Sequence, residues 1–231
     1  ADLLFKSLIL WQKNDFPGFE KINSIIGKSI NANEYNAAMK SSIEYTKNLL
    51  KDEKGIILGL ASGIGSWLNE FIEEYQREIL SVDTDPASSD SLSKYLKYKK
   101  SENLVTQIIA DTKLLPLKSN SIGVITTAAG LQNIDEGEKV LAELRRTGKK
   151  LIGICMFPET DNSGPGPING KSLHVKEYFK ETLEKTGWKI HFENEIKARV
   201  EPSPQSKILG GRLYRFPLSP TSSEFAVVVG E

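Results

Sequence analysis

The stretch 55-GIILGLASGIGSWLNEFI-72 decides the fold. An apolar run, Gly55–Leu60, meets a glycine-spaced turn. An amphipathic run follows, with Ile64, Trp67, Leu68, Phe71, Ile72 and Tyr75 on one stripe. The order is strand, turn, helix. The first turn of such a helix offers unpaired N–H groups and a partial positive charge. Gly59, Gly63 and Gly65 allow a ligand to approach the backbone without Cβ clashes.

The next apolar run, "EILSVD", ends in Asp83, 18 residues after Gly65. A carboxylate at that place, closing the second strand, accepts hydrogen bonds from ribose hydroxyls. A turn that serves only helix–strand packing is the competing reading; the position of Asp83 favours a nucleoside-bearing ligand. Asp85 precedes Pro86 and reads as an N-cap followed by proline at the first helical position, outside the site.

The rest of the chain extends the pattern. Residues 1–30 predict one or two short helices broken near "DFPGF". From Asn33 a helix follows, with Tyr35, Met39, Ile43, Thr46 and Leu50 on one face. After the second strand come a helix ("PASSDSLSKYLKYKK"), a third strand ("NLVTQIIAD") and a fourth ("SIGVITTAA"). The helix "DEGEKVLAELRRTG" stops at Gly148, read as a C′ glycine, and "KKLIGICMF" is a fifth strand. A last helix, "KSLHVKEYFKETLEKTG", precedes the strands "WKIHFENEI" and "SSEFAVVVGE". Continuous apolar strands alternating with amphipathic helices predict a mainly parallel sheet covered on both faces, with the last two strands antiparallel at its edge. The expected division is a helical cap, residues 1–52, and an α/β domain, residues 53–231.

Composition bounds the function. The chain has 231 residues, 39% of them hydrophobic, which suffices for a buried core. Lys+Arg and Asp+Glu both number 30, so no net field draws the chain to nucleic acid or a membrane surface. One cysteine, Cys155, excludes an internal disulfide framework and any multi-cysteine zinc site. His174 and His191 are the only histidines, and no spacing pairs them as metal ligands. No apolar run approaches the ~20 residues of a membrane span. The apolar beginning, "ADLLFKSLILWQKNDF", lacks a basic leader and reads as a packing helix, so the expected location is cytoplasmic.

Three segments together, "ILGLASGIG", "ILSVDTDP" and "IIADTKLLPLKSNSIGVI", resemble class I S-adenosylmethionine-dependent methyltransferases in order and spacing. "ELRRTGKKLIGI" is similar to the helix, turn and fifth strand that follow in that family. The likeness spans about residues 55–157. It implies a seven-stranded, doubly wound, Rossmann-like sheet with an antiparallel C-terminal strand, S-adenosylmethionine as cofactor and a small or medium methyl acceptor. Carried over by position, Gly59, Ala61, Ser62, Gly63 and Gly65 would face the methionine part of the cofactor. Asp83, with Thr84 beside it, would hold the ribose. Asp111, with Thr112, would accept from the adenine amino group. Thr127 and Ala128 would line the methyl-donor pocket. No residue announces itself as a general base, and methyl transfer from a sulfonium needs no metal.

The chain departs from the family at three places. Gly59 replaces a usual acid, Ala61 a usual glycine, and Gly123 a common aspartate. A methyltransferase-like domain that binds without catalysis therefore stays open. So does a short-chain NAD(P) oxidoreductase, which shares the spacing Gly59-x-x-x-Gly63-x-Gly65. Those enzymes need a Tyr-x-x-x-Lys pair late in the chain. The pair here, Tyr95 and Lys99, precedes strands three and four, which counts against that reading.

Further expectations concern the periphery. His174 reads as a surface histidine, with the substrate cleft as its alternative. His191 reads as a structural histidine on a strand, and Cys155 as a small core residue. Trp11, Phe16, Phe19 and Tyr35 form either a lid or simple packing on the sheet. "SGPGPING" and the basic "KILGGRLYRF", with Lys207, Arg212 and Arg215, have the length of binding loops.

Overall fold

A computed structural model of the chain describes residues 6–7, 9–11, 13–30, 33–61, 66–134, 136–159, 173–200 and 220–231. Helices α1 (Phe16–Ile30) and α2 (Asn33–Leu50) precede the alternating part. Then follow β1 (Ile57–Leu60), α3 (Ser66–Tyr75), β2 (Ile79–Asp83), α4 (Pro86–Lys99), β3 (Val105–Ile109) and β4 (Ile122–Ala128). The chain continues through α5 (Gly137–Thr147), β5 (Gly148–Pro158), α6 (Lys176–Lys185), β6 (Ile190–Val200) and β7 (Thr221–Gly230).

The seven strands make one sheet in the order β3-β2-β1-β4-β5-β7-β6. β1 to β5 pair in parallel, and β7 runs antiparallel to both β5 and β6. The expected doubly wound, mainly parallel architecture is therefore the observed one. β7 inserts inside the sheet and leaves β6 at the edge.

Both faces of the central strands are covered, which explains their mostly apolar runs, while the edge strands β3 and β6 are more polar and exposed. On one face Leu50 of α2, Phe71 and Ile72 of α3, and Leu92 and Leu96 of α4 pack on Ile57, Val124 and Ile152. On the other, Leu141 and Leu144 of α5 and Phe179 and Leu183 of α6 pack on Leu58, Ile125 and Leu151. Trp188, just before β6, is buried there and donates its indole N–H to the Leu141 carbonyl at 3.1 Å. Such an aromatic body with a satisfied polar tip is a strong anchor.

Local chemistry sets the element ends. Asp85 caps α4, accepting from the Ala87 and Ser88 N–H groups at 3.0 and 3.1 Å, with Pro86 at the first position. Asp15 accepts from the Gly18 N–H at 3.1 Å where α1 begins, at the break expected near "DFPGF". Gly148 corrects one expectation. Its φ is −113°, extended, so it is no left-handed C′ residue; α5 passes directly into β5. Glycine stands there because a Cβ would run into the Ile125 side chain. Gly123 has a similar cause: a Cβ would collide with the Lys54 carbonyl oxygen.

The N-terminal aromatics divide between two places. Trp11 stacks on Phe16, Phe19 and Tyr95 with centroids 5.1, 4.7 and 5.8 Å away, which fastens α1 to α4. Tyr35 instead meets Phe225 of β7 at 5.4 Å. Of the two readings offered by the sequence, packing is the one these contacts carry.

Candidate functional site

The strand order reverses between β1, paired to β2 on one side, and β4 on the other. Open parallel sheets form a ligand crevice at the carboxyl ends of such a switch point. The described residues among those chosen from the sequence lie on the strand ends and turns around it. Gly59 lies in β1 between Ser81 and Thr126 on the neighbouring strands. Ala61 follows β1 with φ 48°, a left-handed conformation that disfavours alanine, and donates its N–H to the Val82 carbonyl at 3.0 Å. Ser62, Gly63 and Gly65 lie outside the described residues.

Asp83 is the last residue of β2 and half-buried. Its Oδ1 accepts from the Asp85 N–H at 3.0 Å, and its carbonyl accepts from the Ala110 N–H at 3.1 Å. That second bond ties the end of β2 to the end of β3. Thr84 is exposed beside it. Asp111 is exposed and accepts from the Lys113 N–H at 2.9 Å, while Thr112 is buried. Asp83 and Asp111 thus sit on two adjoining turns, joined through Ala110.

Thr127 and Ala128 end β4. Thr127 is fully buried, and its hydroxyl has no hydrogen-bond partner among the described residues. A Cβ placed on Gly130 would stand 2.9 Å from that hydroxyl oxygen and 2.8 Å from the Ala61 Cβ. The β1 turn, the Thr127 hydroxyl and the β4 turn therefore meet around one point. Ala128 is half-buried and packs toward the opposite face.

Two polar devices that the sequence did not announce hold these turns. Arg146 on α5 forks onto Glu143, with Nε and Nη2 each 2.7 Å from a carboxylate oxygen. The same guanidinium donates to the carbonyls of Leu117 and Leu115 at 2.9 and 3.2 Å. Glu143 in turn accepts from the Leu115 N–H at 2.7 Å. The Arg146 hydrogen bond holds the Glu143 carboxyl below its usual range, against the burial that would raise it. The second device is Gln132, buried after β4. It donates to the carbonyls of Met156 and Leu173 at 3.1 and 2.8 Å and accepts from the Met156 N–H at 2.8 Å. An E-x-x-R spacing on a helix and a lone glutamine after a strand are weak signals, which is why both escaped notice.

His174, expected at the surface, is buried beside Leu173, whose carbonyl Gln132 holds. His191 is largely exposed on β6, 2.9 Å from Glu193. Cys155 is fully buried within β5, and desolvation pushes its thiol well above the usual range, so it is a core residue rather than a nucleophile. Residues 160–172 and 201–219, which carry "SGPGPING" and the basic residues, lie outside the described residues. No cluster of metal-ligating side chains occurs among the described residues. No described helix is long and apolar enough to cross a membrane.

Tyr95 and Lys99 lie in the second half of α4, away from the crevice. Both contact Glu20 of α1, at 2.9 and 3.2 Å. They serve the α1–α4 junction, not a proton relay.

Residues 58–152, from β1 into the first half of β5, match a family model described as a methyltransferase domain. The chain has the class I methyltransferase fold. Solved structures agree. A SAM-dependent methyltransferase from Aquifex aeolicus is 17% identical, with 80% of this chain and 88% of that one covered at a TM-score of 0.55. Geranyl diphosphate C-methyltransferase from Streptomyces coelicolor is 10% identical, with 83% and 80% covered at a TM-score of 0.55. The (4+2)-cyclase SpnF is 12% identical, with 80% and 79% covered at a TM-score of 0.61. Identities this low carry the fold alone. Comparison with curated protein sequences finds no match. Within this methyltransferase fold, the crevice between β1 and β4 is where residue chemistry has to be read.

Proposed function

We propose that the chain transfers a methyl group from S-adenosylmethionine to a small or medium acceptor. The observation that carries the reading is Asp83: a half-buried carboxylate closing β2, beside the β1–β4 switch point of a methyltransferase fold. The described residues fit the adenosine half of the cofactor. Asp83 would hold the ribose hydroxyls, with Thr84 at its rim. Asp111 and Thr112 would face the base. The buried Thr127 hydroxyl, without a hydrogen-bond partner among the described residues, would supply a polar group at the crevice floor, with Ala128 beside it. Gly59, Ala61, Ser62, Gly63 and Gly65 would hold the methionine half. The cofactor, when bound, supplies an activated methyl group. The protein's part is to orient an acceptor against it and to exclude water.

The same proposal places the protein in the cytoplasm, without nucleic acid as a partner, and treats residues 1–52 as a cap on the domain 53–231. A second reading has specific support: the chain binds the ligand without methyl transfer. Ala61 strains the turn that would hold the cofactor, and one neighbour of this fold bears the name of a cyclase.

Calorimetry with S-adenosylmethionine, S-adenosylhomocysteine and NAD(P) tests the proposal. S-adenosylhomocysteine binding with methyl turnover on an acceptor panel is the expected result. Binding without turnover selects the second reading. Dinucleotide binding alone overturns both.

A further inference from the structure

We propose that Glu143 and Arg146 on α5 are positioning residues that give the site its selectivity for adenine, although neither reaches the base. The inference rests on the cofactor reading above. It begins with the connection from β3 to β4, residues 110–121, which contains no helix or strand. Asp111 and Thr112 occupy its start. The turn closes on itself through the Leu114 N–H, which donates to the Asp111 carbonyl at 2.9 Å. Packing grips this connection at Thr112 and Leu115, which are buried, while Leu114 between them is 78% exposed.

The α5 pair adds a polar hold on the backbone itself. Both peptide groups of Leu115 are taken by it: the N–H by Glu143 at 2.7 Å, the carbonyl by Arg146 at 3.2 Å. Arg146 also holds the Leu117 carbonyl at 2.9 Å and the Ser119 hydroxyl at 3.3 Å, and its own carbonyl accepts from the Asn120 N–H at 2.9 Å. Five donors on a rigid plane make such a pattern; an ammonium cannot reproduce it. On its other side the connection is fixed by the Ala110 N–H on the Asp83 carbonyl. Asp111 therefore hangs between the Asp83 backbone carbonyl on one side and the α5 contacts on the other. Release of the α5 anchor leaves Asp83 in place and lets Asp111 wander. The expected defect is selective: loss at the base, little loss at the ribose.

Calorimetry with S-adenosylhomocysteine and S-inosylhomocysteine, which carries an oxo group in place of the 6-amino group, reads this directly. The wild type should prefer the adenine compound by about tenfold or more, the scale of one charged hydrogen bond. Arg146→Lys and Glu143→Gln should bring the ratio close to one while keeping most affinity for the inosine compound. Asp111→Ala should do the same, and adding Arg146→Lys to it should change the ratio no further, since both act through one group. A purely structural pair would lower affinity for both compounds alike.

Amide exchange in the wild type gives a readout that needs no variant: Leu114 and Leu115 should exchange more slowly with S-adenosylhomocysteine bound. Folded Arg146→Lys protein with the wild-type ratio overturns the proposal, and so do unprotected amides. Equal binding of both compounds by the wild type also overturns it but leaves the cofactor reading standing. Binding of neither compound overturns the cofactor reading itself, and this inference with it.

Discussion

The Ala61 methyl occupies the space into which a side chain on Gly130 would have to point. A Cβ there would lie 2.8 Å from the Ala61 Cβ and 3.1 Å from its carbonyl oxygen. The turn after β1 and the turn after β4 are thus in contact across the switch point, and alanine holds a left-handed φ of 48° at the seam. Ala61→Gly should relieve that strain, stabilise the fold by about 1 kcal/mol and tighten S-adenosylhomocysteine binding. Gly130→Ala should do the reverse, because the opposing atoms include backbone that cannot swing aside. Urea unfolding and calorimetry check both. Weaker binding by Ala61→Gly would show that the methyl is part of the ligand surface.

Asp83 has two jobs. Its carboxylate is the group assigned to the ribose, and its Oδ1 also accepts from the Asp85 N–H at 3.0 Å. Asp83→Ala should weaken S-adenosylhomocysteine binding by about 1–3 kcal/mol, a lost hydrogen bond to a charged group. Asp83→Asn retains an acceptor for Asp85, so it should recover stability before it recovers affinity. An unchanged dissociation constant in Asp83→Ala removes the residue from the site.

The sheet was legible because its signal is repetitive. "ILGL", "ILSVD" and "IGVITTA" are mostly apolar, as strands buried on both faces must be, and helices or turns separate them. Asp83, Asp111 and Thr127 could be chosen because strand ends are visible in such a pattern. What stayed hidden depends on contacts distant in sequence. Gly148 looked like a helix stop, yet its cause is the Ile125 side chain across the sheet. Arg146 stands near the end of an amphipathic helix, yet it binds carbonyls about 30 residues earlier, at Leu115 and Leu117. Trp11 and Tyr35 looked like one aromatic group; their partners, Tyr95 and Phe225, lie on different elements.

Stability should fall on acidification through the carboxylates around α5. Hydrogen bonds from Lys113 and then Lys139 pull the exposed Glu136 down to about 2, and the Arg146 fork lowers Glu143. Both lie below the unfolded value of about 4.3, so their contribution is complete above that pH and disappears as pH drops toward the folded values. The urea midpoint should decline between about pH 5 and about pH 2. Glu136→Gln should flatten part of that slope, and added salt should erase the Glu136 part first, because screening acts on exposed pairs. A midpoint independent of pH over this range would mean that neither pair supports the fold.

Gln132 offers the sharpest stability test. Its amide replaces a strand edge: it satisfies both peptide groups of Met156 at the end of β5 and the carbonyl of Leu173 ahead of α6. The side chain is 2% exposed, so water cannot take over these bonds without opening the turn. Gln132→Leu keeps the volume and leaves three peptide groups without partners. The expected cost is about 2–4 kcal/mol, below the simple sum because the turn relaxes. Gln132→Glu should fare no better, since a carboxylate accepts from the Met156 N–H but faces two carbonyl oxygens with no donor. Amide exchange locates the damage. The Met156 N–H should lose protection in both variants, and residues 173–176, His174 among them, should open together. Retained protection at Met156 in Gln132→Leu would mean that β5 and β7 hold that strand end without the clamp.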